Sequence, residues 1–214
     1  MKGENNKKRI AVFASGFGSN LQAILDFQAK GKLYGEVALV FSNNENAYAI
    51  ERAKNYKIIT ACFSPSGFRN RLDYDRQIAG LLETEKIDLI VLAGYMLLIG
   101  KPILEKYKDR IINIHPALLP SFKGTHGIKD AFEYGVKVTG VTVHFVDEGL
   151  DSGPIILQET VTIEQEDTLE SLEEKIHRVE HRIYPLAVQL YCSGLLKICG
   201  RKVIVSSQEA ATLK

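Results

Sequence analysis

Arg9-Ile10-Ala11-Val12-Phe13-Ala14 runs straight into Ser15-Gly16-Phe17-Gly18-Ser19, and then into Asn20-Leu21-Gln22-Ala23-Ile24-Leu25-Asp26-Phe27. The first segment is a short apolar run and reads as a buried strand; the last carries apolar residues at helical spacing and opens a helix. A strand that enters a helix through a glycine-rich turn is the first half of a βαβ unit. The pattern then repeats. Glu36 to Phe41 is a second strand, Ala47 to Asn55 a helix, Lys57 to Ala61 a third strand, and Asp73 to Glu85 another helix. Ile87-Asp88-Leu89-Ile90-Val91-Leu92 is apolar almost throughout, as a central strand covered on both faces must be. Ile111-Ile112-Asn113-Ile114 makes one more short strand.

Beyond residue 137 the texture changes. Val138 to Val146 alternates in character, and Pro154 to Val161 answers it across a polar loop of glycine and aspartate, which predicts strands with at least one antiparallel partner. Thr168 and Ser171 start a long helix that Leu169, Leu172, Ile176, Val179 and Ile183 carry onward, with Pro185 expected to kink or interrupt it. The predicted fold class is therefore α/β: a Rossmann-like, mostly parallel sheet with helices on both faces and an antiparallel strand pair near the C-terminal half. With 214 residues and 45% hydrophobic content, residues 1–214 are expected to form one domain, with 206–214 as a loose polar tail.

Charge narrows the partners. Lysine and arginine total 27 against 26 acids, a net charge of +1, and no basic stripe offers a track for a polyanion, so no nucleic-acid partner is expected. The polar start, Met1 to Lys8, lacks the apolar stretch of a signal peptide or membrane span, which predicts a soluble, cytoplasmic protein. Cys62, Cys192 and Cys199 are odd in number and lack CxxC spacing; they read as reduced thiols rather than as disulfides or a zinc site.

At the turn of residues 14–20, backbone amides and the helix dipole attract an anion, and phosphate is the natural occupant. Glycines let the main chain approach it, and Ser19 and Asn20 are positioned to cap the helix. The third glycine of a dinucleotide fingerprint is missing, and the second strand ends Phe41-Ser42-Asn43-Asn44 without an acid for a ribose diol. There is no Walker lysine either. A tight turn that binds nothing remains the plain alternative.

Asn113 and His115 fall on one side of a strand, with Ile114 on the other, and Pro116 and Pro120 stiffen the exit. Two polar groups at the carboxyl end of a parallel strand sit where such sheets bind ligands. Asp151 lies in Asp147-Glu148-Gly149-Leu150-Asp151-Ser152-Gly153-Pro154, a shaped loop from which a carboxylate can pair with His115 and favour its charged form. Structural readings compete here: a histidine that only caps the strand, and an Asx-turn aspartate. His144, His177 and His181 read as surface or packing residues, while His126, in the loop Lys123-Gly124-Thr125-His126-Gly127, is within reach of the site.

These residues resemble the phosphoribosylglycinamide formyltransferases, folate-dependent enzymes of purine synthesis. The likeness runs from about residue 8 to about residue 200. It rests on Ser15 to Leu21, Leu92 to Met96, Asn113 to Pro120, Val143 to Val146 with Leu150 to Pro154, and Glu180 to Pro185. The resemblance implies a single formyltransferase domain, its N-terminal half binding phosphate and its C-terminal half completing the catalytic and folate sites. By it, Asn113, His115 and Asp151 are catalytic; Gly18, Ser19, Asn20 and Glu180 bind the substrate ribonucleotide; and Arg71, Met96, Leu97, Leu98 and Ile99, with Asn113, bind folate. It implies 10-formyltetrahydrofolate as donor co-substrate, glycinamide ribonucleotide as acceptor, no metal, and a monomer or homodimer. Two departures touch peripheral contacts: Ile128 replaces a second histidine that some members carry, and Leu97 stands where some have arginine.

Related formyl-group enzymes share the Asn-x-His and Leu-Asp-x-Gly pieces. Methionyl-tRNA formyltransferase is expected to need an RNA-binding domain and a more basic surface. Formyltetrahydrofolate deformylase is expected to carry an additional amino-terminal domain, which the few residues before the first strand are not expected to supply. A sugar-nucleotide N-formyltransferase and a non-catalytic phosphometabolite-binding module are the other rivals.

Overall fold

The computed structural model describes residues 7–206. Its strands are β1 (Lys8–Phe13), β2 (Gly35–Ser42), β3 (Ile59–Cys62), β4 (Leu89–Leu92), β5 (Ile111–His115), β6 (Val138–Phe145), β7 (Ile155–Thr162), β8 (Leu196–Cys199) and β9 (Lys202–Val205). They join in one sheet of order β3-β2-β1-β4-β5-β6-β7-β9-β8. β1 to β5 pair in parallel, and β6 is antiparallel to both β5 and β7. The predicted class is the observed one.

The helices are α1 (Ser19–Ala29), α2 (Tyr48–Asn55), α3 (Arg71–Thr84), α4 (Lys101–Lys106), α5 (Gly127–Tyr134) and α6 (Leu169–Cys192). Alternation along the strands divides the core in two. Ile10 and Val12 of β1 meet Leu21 and Ile24 of α1, Ala49 of α2 and Tyr184 of α6, while Ala11 and Phe13 turn to the other face and meet Tyr74 and Ile78 of α3 and Ile103 of α4. Both clusters consist of buried apolar side chains, and burying a side chain of this size contributes about 1.5–3 kcal/mol.

Several boundaries differ from the sequence reading, each for a physical reason. α3 begins at Arg71 rather than Asp73, because the Asn70 side chain caps it by accepting from the Asp73 amide. α6 is not interrupted at Pro185. The proline lacks an amide, but its neighbours Ile183, Tyr184, Ala187 and Val188 are buried against the sheet, and the Tyr184 hydroxyl donates to Leu92 O at 2.7 Å with Ile112 O at 3.1 Å. Tertiary packing outweighs the local cost. α4, α5, β8 and β9 fall outside the sequence pattern. They are short, and β9 joins the sheet through a single registered pair, Ile155 with Lys202. Of the expected tail, 207–214 lies outside the described residues. No helix among the described residues is long and apolar enough to cross a membrane.

Candidate active site

The strand order reverses between β1 and β4, and crevices at such points are where open α/β sheets bind ligands. A cleft of about 740 Å³ lies there, walled by the turn 15–20, the segment 93–99, Asn113 to Pro116, and residues 149–151.

The turn closes one end. Gly18 is the N-cap of α1, in the left-handed region at φ 75°, and no side chain caps the helix. The capping expected of Ser19 and Asn20 does not occur: Ser19 is the first helical residue, and the Asn20 amide is committed elsewhere, donating to Glu180 Oε2 at 3.0 Å. Asn20 is 8% exposed, and its Oδ1 is buried with no partner. Burial raises the Glu180 carboxyl above the usual carboxylate value, against the pull of the Asn20 amide and His177. An orphan acceptor, a buried acid and a row of uncapped amides therefore share one corner.

The opposite end holds the polar cluster. Asn113 and His115 share a face of β5, as alternation predicts, and Ile114 packs into the core on the other side. His115 is 3% exposed, and both of its ring nitrogens face acceptors: Nε2 donates to Phe122 O at 2.7 Å, and Nδ1 stands 3.5 Å from Asp151 Oδ2. A proton on Nδ1 would complete an imidazolium held between carbonyl and carboxylate. Asp151 adopts φ 46°, a conformation that aspartate tolerates better than most residues, and accepts from the Gly124 amide at 2.9 Å. The Thr142 hydroxyl donates to Ala117 O and accepts from the Leu119 amide, which fixes the chain as it leaves β5.

His144 belongs to this cluster, contrary to its reading as a surface or packing residue. Register is the reason: β6 runs antiparallel to β5 and sets His144 opposite Asn113. Its Nδ1 donates to Phe145 O at 2.8 Å, leaving Nε2 to accept from Asn113 Nδ2 at 3.3 Å, with Asp151 Oδ1 3.8 Å away. Burial pushes the His144 imidazole below its usual range, while the Phe145 carbonyl and Asp151 oppose the shift. His177 also lines the cleft; His126 and His181 do not. No periodicity signals His144, because the pairing partner of a strand is a tertiary fact.

Met96 to Ile99 form the apolar side, with Met96 61% and Leu98 71% exposed toward the opening. Ser15 ties this wall to the turn: its hydroxyl donates to Asn43 Oδ1 and accepts from the Met96 amide. Arg71 does not line the cleft. Its Nε reaches both Asp75 oxygens, at 2.9 and 3.0 Å, and its Nη2 donates to Leu98 O, so it holds the wall from the side. Burial raises the Asp75 carboxyl, with Arg71 opposing. Among the described residues no group of three or more His, Cys, Asp or Glu is placed to hold a metal ion.

This arrangement offers an anion site at one end, an amide and an imidazole beside a carboxylate at the other, and an apolar wall between them. Residues 8–188 match the formyl transferase family. The chain is 44% identical over 182 residues to the phosphoribosylglycinamide formyltransferase of Bacillus subtilis, covering 85% of this chain and 93% of that one. It is 40% identical over 195 residues to the human trifunctional purine biosynthetic protein adenosine-3, covering 91% of this chain and 19% of that one. The crystal structure of glycinamide ribonucleotide transformylase 1 from Symbiobacterium toebii superposes with a TM-score of 0.93 at 43% identity, over 97% of this chain and 98% of that one.

Proposed function

Since the chain belongs to the formyl transferase family, we propose that it transfers the formyl group of 10-formyltetrahydrofolate to the amine of N1-(5-phospho-D-ribosyl)glycinamide, releasing tetrahydrofolate, in de novo purine biosynthesis. The observation that carries this reading is the meeting, in one cleft, of the uncapped turn at Gly18 with Asn113, His115 and Asp151. The same reading treats residues 1–214 as one formyltransferase domain acting in the cytoplasm on small molecules.

The amine nitrogen attacks the formyl carbon, and the carbonyl electron pair moves to oxygen. Asn113 Nδ2 and the His115 imidazolium donate to that oxyanion, while Asp151 keeps the proton on His115 Nδ1. Nε2 must exchange the Phe122 carbonyl for the substrate oxygen, which ties the step to the loop 121–127. Collapse breaks the bond from the formyl carbon to the folate nitrogen, and the amine proton passes to that nitrogen by way of Asp151 or water. At the other end the amides of Gly18, Ser19 and Asn20 receive the phosphate, and Glu180 contacts the ribonucleotide. Met96 to Ile99 pack against the flat pterin, with Arg71 steadying them through Leu98.

The test is to mix purified protein with glycinamide ribonucleotide and 10-formyltetrahydrofolate and to follow the folate absorbance. Turnover is expected, and its absence overturns the assignment. His115→Ala and Asn113→Ala should each lower kcat by about 10²–10³, the usual cost of one lost oxyanion donor. Near-native rates in both would remove their roles and leave the reaction standing.

A further inference from the structure

Three consecutive carbonyls of the glycine-rich turn are taken up by one neighbouring stretch of chain. Ser15 O accepts from Asn44 Nδ2 at 3.2 Å, Gly16 O from the Ala49 amide at 3.1 Å, and Phe17 O from Arg52 Nε at 2.9 Å. In a trans peptide the N–H points opposite to its own carbonyl. Pinning these carbonyls toward α2 therefore aims the amides of Gly16, Phe17 and Gly18 away from it, on the side where these residues line the cleft. Among the described residues none of these amides has a protein acceptor. Successive amides aimed at one point form an anion-binding nest, and the first turn of α1 continues the row.

Arg52 is the member of the brace with the most contacts. Besides the bond to Phe17 O, its Nη1 donates to Gln22 Oε1 at 2.8 Å, on the first turn of α1. Its guanidinium lies over the Phe17 ring at 4.5 Å and the Tyr48 ring at 4.9 Å, and the two rings stack at 5.4 Å with an interplanar angle of 18°. A planar, stacked guanidinium with its donors fixed in a fork is not replaceable by lysine. Gly18 leaves no slack: a Cβ there would stand 2.8 Å from Ala49 Cβ. Asn20 lines the same cleft on a side chain only 8% exposed, and its Oδ1 has no partner among the described residues.

We infer that Arg52 is a positioning residue that presets the turn for the phosphate of the amine substrate without touching it. The inference rests on the proposed function for the identity of that substrate, and on the hydrogen bonds above for the device. A preset nest lowers the cost of ordering the site on binding and leaves the chemical step alone. Its loss is therefore read in KM and not in kcat.

The experiment compares wild-type protein with Arg52→Ala and Arg52→Lys. In Arg52→Ala the KM for glycinamide ribonucleotide is expected to rise about tenfold, with kcat and the KM for 10-formyltetrahydrofolate within about twofold of wild type. Arg52→Lys, which keeps a donor but not the fork or the stacking, should fall between. Inorganic phosphate, titrated by phosphorus NMR, supplies an arm independent of turnover: its Kd should rise in step with the KM. An unchanged KM in Arg52→Ala, or equal losses in kcat and both KM values, overturns the inference. Should the alanine variant fail to fold, Arg52→Lys and the phosphate titration decide alone. If the wild-type protein binds phosphate in an Arg52-dependent way but does not formylate the amine, the proposed substrate is wrong and the positioning role stands.

Discussion

Asn113 and His144 face one another across β5 and β6, and the direction of their hydrogen bond depends on which nitrogen of His144 holds the proton. Nδ1 is spent on the Phe145 carbonyl, so Nε2 stays an acceptor only while the ring is neutral. Burial favours that neutral form, taking the folded-state value below the usual 6.5. Below pH 6.5 the unfolded chain then binds a proton that the folded protein refuses, so this group makes stability fall as pH drops through 6.5 toward the folded-state value. We predict that His144→Gln flattens this acid limb when urea midpoints are compared between about pH 7 and pH 5. Parallel curves for the two proteins would show that His144 titrates normally. The residue was illegible in the sequence because alternation places it on a face without naming the strand opposite. Asn113 and His115 were legible because they lie two apart on one strand, a spacing that needs no partner.

Among the elements, α6 shows how packing overrides propensity. An internal proline costs a helix about 3 kcal/mol in isolation, yet α6 continues for 24 residues because its buried stripe spans the break. Tyr184, wholly buried, fastens it to the sheet through the carbonyls of Leu92, the last residue of β4, and Ile112 of β5, the strands that lead into the apolar wall and into Asn113 and His115. Burial drives its phenol well above the ordinary value, so the hydroxyl remains a donor across the working range of pH. Tyr184→Phe is expected to destabilise the fold by about 1–3 kcal/mol, the cost of leaving a buried acceptor unmet, seen as a lower urea midpoint at unchanged slope. A midpoint equal to that of the wild type would mean that the apolar stripe alone docks the helix.

In the whole molecule, the site is assembled from segments that lie far apart along the chain. Gly124 donates to Asp151, Phe122 O holds His115, and Arg201, at the turn between β8 and β9, donates to Ser152 O at 2.8 Å. The loops 121–127 and 147–153 thus depend on one another. Occupying the cleft at about 100 times Kd should add about 2.7 kcal/mol to stability by mass action. Amide hydrogen exchange is expected to slow in both loops when both substrates or their unreactive analogues are bound. Protection confined to the turn 15–20 would show that occupancy there leaves the cluster of Asn113, His115 and Asp151 unaffected.

The alternation of strand and helix, the parallel half of the sheet, the glycine-rich turn, and the placing of Asn113 and His115 on one face can all be read along the chain. Those features follow from local rules: side-chain period, turn chemistry and the pattern of burial. Packing at a distance sets the rest: β6 puts His144 against Asn113, α6 carries Glu180 to Asn20, α2 braces the turn through Arg52, and Arg71 holds the apolar wall from outside the cleft. Each of these is a contact between residues distant in sequence. Its register is set by the packing of the whole sheet and its helices, which no local pattern encodes.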